Sequence, residues 1–339
     1  VKVGADTSQV ALSGSQIGQH FTATVENRGI NDQDADPTDN THQQAIGADG
    51  SISLTTNDPH PYYSSSGSST SVTGHQVAHV SFEHEIDFSH NFSMTGALGI
   101  GSKSNGADSV GFVFAPGDPS AATKGGSGGM LGIEGLKNAF GFVYDQYDNR
   151  QDYQDPSGNP YVGWRFTDGN GKLQAAPSGD WQSASALGLT HEGTGTYQFT
   201  MNYDAKTQTL TVLLNNQTFS RKIADVSTGY SISVAASTGG SWNDYSAKID
   251  SFSYTPKTIP LEVHLVDSAD EGALLNNTTV NAVANIGDTI SVFSTPEAAS
   301  RALAAGVVTD PSLVAIIPAD TAGNIYLIDG QQVVANNNG

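Results

Sequence analysis

Through its first 255 residues the chain is a succession of short β-branched and aromatic runs, each cut off by a cluster of Gly, Ser, Thr or Asn roughly every 8 to 15 residues. Such spacing leaves no room for long helices and predicts strands joined by turns. The run from Val77 to Ile100 sets Val80, Phe82, His84, Ile86 and Phe88 against Ser81, Glu83, Glu85 and Asp87, the alternation of a half-buried strand. Further strands are predicted over Ser109–Ala115, Ala139–Asp145, Gly195–Tyr203, Thr209–Leu214, Ser231–Ser237 and Lys248–Thr255. So many strands in one stretch predict a mainly β fold, a large antiparallel β-sandwich, because two sheets packed face to face cover their apolar sides.

The texture changes near Pro256-Lys257. A strand (Leu261–Asp267) and an apolar stretch (Thr278–Phe293) precede the one convincing helix, in which Thr295 is the N-cap, Pro296 takes the first position, Ala298–Ala305 is Ala-rich and Gly306 is the stop. Strands at Val314–Pro318 and Asn324–Ile328 follow. The expected organisation is therefore a sandwich over 1–255 and a small α+β module of β-grasp type over 256–339. Asp32–Asn40 and Tyr62–Gly74 read as polar surface loops. The chain starts Val1-Lys2-Val3 and ends in Asn338-Gly339, which reads as an excised fragment.

Composition excludes several functions. With 14 Lys+Arg against 34 Asp+Glu the net charge is -20, which disfavours nucleic acid and anionic membranes as partners. No apolar run is long enough for a transmembrane helix, so no membrane insertion is expected. With no cysteine there are no disulfides, thiolate metal sites or cysteine nucleophiles. Oxygen-ligated calcium remains open.

Three segments carry the chemistry. In Phe140–Pro156, FGFVYDQYDNRQDYQDP, a strand runs into a polar loop bracketed by Asp145, Asn149 and Asp155, with the Tyr147 carbonyl between them. Calcium takes six to eight such oxygens, although a solvated acidic loop has the same composition. Gly125–Gly132 is a glycine loop whose backbone can approach a ligand closely. Ala107-Asp108 sets a carboxylate just before the strand that starts at Ser109.

In this order and spacing the segments resemble the L-type (legume-like) lectins, from about Phe21 to Tyr254 and most densely over Gly106–Pro156. The resemblance implies a concanavalin-like jelly roll with a carbohydrate site beside calcium. By position, Asp108 and Asn149 are implied to bond sugar hydroxyls, Gly129, next to Gly128, to donate its backbone N–H, and Tyr147 to stack on the sugar. Asp145, Asn149, Asp155 and the Tyr147 carbonyl are implied to hold Ca2+, and Ser241, Trp242 and Asn243 fall in the family's variable specificity loop. The second, transition-metal site of the plant members lacks ligands here, its positions reading Val143 and Tyr161, so calcium alone is expected. The absence of cysteine favours a Gram-positive bacterial surface adhesin over the animal branch. Expected partners are glycans of a glycoprotein, mucin or polysaccharide, bound outside the cell by a fragment that is itself monomeric, without enzymatic activity. The C-terminal segment resembles the mucin-binding-like modules that follow lectin modules in such adhesins.

Other readings compete. Glu83, Glu85 and Asp87 imitate the acidic strand of jelly-roll glycoside hydrolases, yet the second Glu of that pattern falls at Ser89. A non-binding stalk segment is the structural alternative, and no lysine follows Lys257 to form an isopeptide cross-link there. Asp32, Asp34 and Asp36 imitate an EF-hand, but Pro37 and Gln43 stand where Gly and Glu are needed. His75, His79 and His84 are spaced too unevenly to share one strand face as a zinc site. Arg150 or Lys124 could favour an acidic sugar if directed inward.

Overall fold

The computed structural model describes residues 9–27, 41–56, 60–63, 69–72, 75–103, 105–117, 125–156, 160–189, 195–226, 228–255, 258–267, 273–285, 290–316, 325–326 and 332–333. Asp32–Asn40, which holds the acidic part of the EF-hand imitation, and Lys124 lie outside these residues. The chain divides into two units, one of them Gln9–Thr255 and the other taking in the chain from Pro256 onward.

The first unit is a sandwich of two antiparallel sheets. The larger runs Trp181–Ser183, Tyr161–Phe166, Phe140–Asp145, Ser109–Pro116, Gly229–Ser237, Gln76–Phe82, Phe21–Asn27, Thr41–Gln44, with Ile86–Asp87 also paired to Gly229–Ser237. The smaller runs Val10–Ser13, Ser246–Tyr254, Phe92–Ile100, Gly195–Asp204, Thr209–Leu214, Gln217–Lys222, with Ser51–Ser53 on Ser246–Tyr254. The core lies between them. Aromatic rings cross from sheet to sheet, Phe112 meeting Phe199 edge-on at 4.7 Å and Phe82 meeting Phe252 at 4.9 Å, each such pair contributing about 0.5–1.5 kcal/mol beyond its buried area.

The run from Val77 to Ile100 is not one strand. It leaves the larger sheet after Phe82, touches it again at Ile86–Asp87 and enters the smaller sheet at Phe92. The alternating pattern continues through the break because a chain that changes layers keeps apolar residues facing the shared core. Similarly, Ser69–Val72 pairs with His60–Tyr63 where a loop was expected.

The larger sheet is covered on its second face as well. Val113, Ala115, Val143 and Ala235 turn away from the sandwich core and pack against Leu131, Ile133 and Leu136. Strand Ser109–Pro116 is consequently buried along nearly its whole length, and the glycine-rich segment is pinned over the sheet by the apolar residues that follow it.

In the second unit Thr258–Asp267 and Ala273–Asn285 form an antiparallel pair, and Ser291–Phe293 pairs in parallel with Val314–Ile316 across the helix Pro296–Ala304. A parallel pair needs such a crossover. Among the described residues Ile325–Tyr326 pairs with Gln332–Val333 and not with the preceding strand. Among the described residues these are separate two-stranded sheets, so the single mixed sheet of a β-grasp is not supported. The helix starts as its sequence implies, Thr295 Oγ1 accepting from Ala298 N–H at 3.2 Å. Thr295→Ala is expected to cost about 1 kcal/mol, read as roughly fivefold faster amide exchange across Pro296–Ala304.

Candidate functional site

Three neighbouring strands of the larger sheet end level with one another. Ser109 is in register with Asp145 on one side and Ser237 on the other, so Asp108, Gln146 and Thr238 lie side by side at the sheet's edge. Backbone bonds tie them, Asp108 N–H donating to Ser237 O at 2.8 Å and Gln146 N–H to Asp108 O at 2.7 Å. The Ala107–Asp108 peptide is cis.

The glycine segment comes down onto these ends. Gly128 donates its N–H to Thr238 O at 2.8 Å and accepts from Ser237 Oγ at 3.0 Å. Its φ of +61° is strained for any residue with a side chain. A Cβ on Gly129 would lie 2.8 Å from Asn149 Oδ1 and 2.5 Å from the Tyr153 ring, and one on Gly239 would lie 3.0 Å from Asp108 Oδ2. Asp108 and Asn149 are thus both reached by backbone that only glycine permits.

Asp108, Asp145 and Asp155 are buried, with exposures of 3%, 0% and 6%. Asp145 Oδ1 accepts from Tyr147 N–H at 3.2 Å. Asp155 has both oxygens engaged, Oδ2 by Asn149 N–H at 2.7 Å and Oδ1 by Arg165 Nη1 at 2.7 Å. By contrast, Asp108 Oδ2, Asp145 Oδ2 and Asn149 Oδ1 are buried and accept no hydrogen bond. Such groups are costly unless something else meets them.

Burial accordingly pushes the Asp108 carboxyl up to about 8, helped by the charge of Asp155. Asp145 is raised well above the usual carboxylate range by burial, then by Asp155 and Asp108, with Arg165 opposing. Asp155 is raised by burial, against the pull of Arg165. Among the described residues no cluster of three or more His, Cys, Asp or Glu forms a metal cage. Here the unmet oxygens come from carboxylates and an amide, a mixture that suits a hard cation such as calcium.

Around this centre, Tyr147 is 46% exposed, so its ring is open to a ligand. Lys103 Nζ sits 3.5 Å from the centroid of the Trp242 ring and donates to Ser241 Oγ at 3.2 Å. Ser241 in turn donates to Asn105 O at 3.1 Å and its carbonyl accepts from Gly239 N–H, which ties the loop to the site. Asn243, expected to face the sugar, is instead internal: it is 0% exposed, and its side chain donates to Gln146 Oε1 and accepts from Lys103 and Asp244 N–H. Arg150 is exposed and paired with Asp148 at 2.5 Å.

Sequence reasoning missed two residues. Gln146 directly follows Asp145 and is buried, its Oε1 accepting from Asn243 Nδ2 at 3.0 Å and Tyr245 OH at 2.5 Å. Arg165 is completely buried beside Asp155. Its signal was present, because Tyr161, Gly163 and Arg165 share one strand face and a cation on a buried face needs a buried anion.

Two open hollows, about 470 and 640 Å³, are lined by residues on and beside the smaller sheet and by none of those around Asp108. Glu83 and Glu85 do not continue the strand Gln76–Phe82, so the period-two placement expected for them is broken. Glu83 is outside the strand and meets His20 Nδ1 at 2.5 Å and His84 Nε2 at 3.1 Å.

Residues 18–251 match the model of the legume lectin beta-barrel domain, the L-type lectin domain. The chain is 32% identical over 203 residues, 54% of its length, to the serine-rich adhesin for platelets of Staphylococcus aureus strains MSSA476 and MRSA252. It spans only 9% and 15% of the length of those relatives. Among solved structures, the winged bean acidic lectin complexed with methyl-α-D-galactose overlaps 73% of this chain and 99% of its own, at 16% identity and a TM-score of 0.45. That overlap is too loose to add to the family match, which spans well over half of the chain. The chain therefore belongs to the L-type lectin domain family.

Proposed function

We propose that this chain binds glycans in a calcium-dependent manner, as the adhesive part of a bacterial cell-surface protein. The observation that carries the reading is the set of buried acceptors without donors, Asp108 Oδ2, Asp145 Oδ2 and Asn149 Oδ1, gathered under a glycine segment at the sheet's edge. They support two adjoining roles.

Asp145 and Asn149, with the Tyr147 carbonyl, are the residues suited to hold calcium, and Asp155, whose oxygens are each engaged once, has lone pairs left to join them. Bound there, the ion supplies positive charge that offsets the buried carboxylates and holds the loop in one conformation. Asp108 accepts hydrogen bonds from sugar hydroxyls, which are stronger than neutral ones because the acceptor is charged. Asn149 orients a hydroxyl beside it and Gly129 offers its backbone N–H, reached without side-chain obstruction. The exposed Tyr147 ring covers an apolar sugar face, and Ser241 and Trp242 border the site. Asn243 frames the loop from inside.

The likeness to the serine-rich adhesin for platelets of Staphylococcus aureus supports work outside the cell, at a Gram-positive surface; glycans of host glycoproteins or mucins are the proposed targets. No helix among the described residues is long and apolar enough to cross a membrane.

A glycan array probed in millimolar calcium and in EDTA tests the reading. Binding to a defined subset of glycans is expected, falling at least roughly tenfold in chelator and returning with calcium. Binding indifferent to chelator overturns the calcium requirement, and no binding to any glycan overturns the function.

A further inference from the structure

Lys103 has no part in the calcium site or the sugar contacts described above. It is half-buried in the segment that leads into Asp108, and its charge meets no carboxylate at ion-pair distance among the described residues. Instead the ammonium stands 3.5 Å from the centroid of the Trp242 ring and donates to Ser241 Oγ at 3.2 Å. Burial strips part of its water and pulls it below the usual lysine range, and a partly desolvated cation is drawn more strongly to an aromatic face.

The backbone around Lys103 is bolted to the same loop. Lys103 N–H donates to Asn243 Oδ1 at 3.2 Å, Ser102 N–H to Asp244 Oδ1 at 2.8 Å and Ser241 Oγ to Asn105 O at 3.1 Å. A Cβ on Gly101 or on Gly106 would run into the Asn243 side chain, so the two segments approach as closely as glycine allows. Trp242 is half-buried, and beyond the Lys103 contact its indole makes no ring contact or hydrogen bond among the described residues.

We propose that Lys103 is a positioning residue of the glycan site, its ammonium stacked on one face of the Trp242 indole so that the ring is held as a platform for a sugar. The proposal rests on the glycan reading above. An unrestrained tryptophan at the rim of a site must be ordered each time a ligand binds, which costs affinity. Here the ordering is done in the free protein, by the ammonium on the ring and by the bonds that join the two segments. The other indole face can cover the C–H side of a sugar, and Nε1–H can donate to a hydroxyl. Because the charge of Lys103 acts on the ring and not on the ligand, its help is the same for acidic and for neutral glycans.

A glycan array of the whole chain in millimolar calcium, followed by calorimetry on a glycan that the wild type binds, tests the proposal. Lys103→Met keeps the stem without the charge, and Lys103→Gln keeps a donor for Ser241 without the charge. Each is expected to lose affinity about two- to fivefold for every glycan bound, the size of one cation–π contact. Lys103→Arg, which keeps the charge and stacks well, is expected to recover most of that loss. Trp242 emission, separated from the other two tryptophans by difference against Trp242→Phe, should shift in the Met and Gln variants and much less in the Arg variant. The gain in melting temperature on adding calcium should be alike in all of them. A purely structural lysine predicts a lower melting temperature with glycan affinity and Trp242 emission unmoved. Unchanged affinity in folded Lys103→Met overturns the proposal, as does a loss confined to acidic glycans, since the ammonium would then meet the sugar directly. Either result leaves the glycan reading standing, whereas no glycan bound by the wild type overturns both. Should Lys103→Met fail to fold, Lys103→Gln decides by the same outcomes.

Discussion

Calcium added to chelator-treated protein is expected to raise the melting temperature of the Gln9–Thr255 unit by roughly 5–11 °C when the ion is in hundredfold excess over its Kd. An ion that binds the native state alone contributes about 2.7 kcal/mol at that excess, and each kcal/mol moves a domain of this size by about 2–4 °C. The effect should depend on pH. Asp108 is pushed up to about 8 in the fold from an ordinary 3.8, so the metal-free fold binds a proton that the unfolded chain releases. Its contribution to stability is full below about pH 4 and is lost as the pH rises through about 8. In EDTA, therefore, the melting temperature should fall between pH 5 and pH 8. In calcium the ionised carboxylates are favoured, and the gap between the two melting curves should widen over the same range. Coincident curves in EDTA and calcium at pH 8 overturn the metal-completed site.

Asp108→Ala is expected to reduce glycan affinity at least tenfold, because a charged acceptor contributes about 1.5–3 kcal/mol per hydrogen bond. Calcium affinity should fall less than glycan affinity, since Asp145 and Asn149 remain, while the variant's stability in EDTA should equal or exceed that of the wild type, since a buried carboxylate oxygen with no donor is removed. Asp145→Ala should act in the opposite order, losing calcium first and glycan as a consequence. Calorimetry with both ligands on both variants separates the two jobs. Full glycan affinity in Asp108→Ala moves the sugar site elsewhere, the Ser241-Trp242 edge being the next candidate.

The sandwich was legible because strands declare themselves locally. The predicted segments Ser109–Ala115 and Thr209–Leu214 are strands, extended by a residue in the first and unchanged in the second. The missed Tyr161–Phe166 and Gln217–Lys222 have weaker signals, the first holding Gly163 and Arg165 in its buried pattern and the second mostly polar. The break after Phe82 was invisible for a different reason, since the period-two pattern is the same whichever layer the chain joins.

The candidate site divides along the same line. The order of Asp108, the glycine segment and Asp145-x-Tyr147-x-Asn149 can be read from the chain, because each is a short motif with its own backbone requirement. Which oxygens lack a donor cannot be read from it. Asn243 looks like a loop residue in sequence, yet Gln146, 97 positions away, draws its side chain inside. Asp155 looks like an open ligand until Arg165, from the adjoining strand, engages its Oδ1. Turn preference and strand period are properties of neighbouring residues, whereas the pairing of buried charges depends on which strands the sheet sets side by side, and that ordering exists only once both layers have closed on the core.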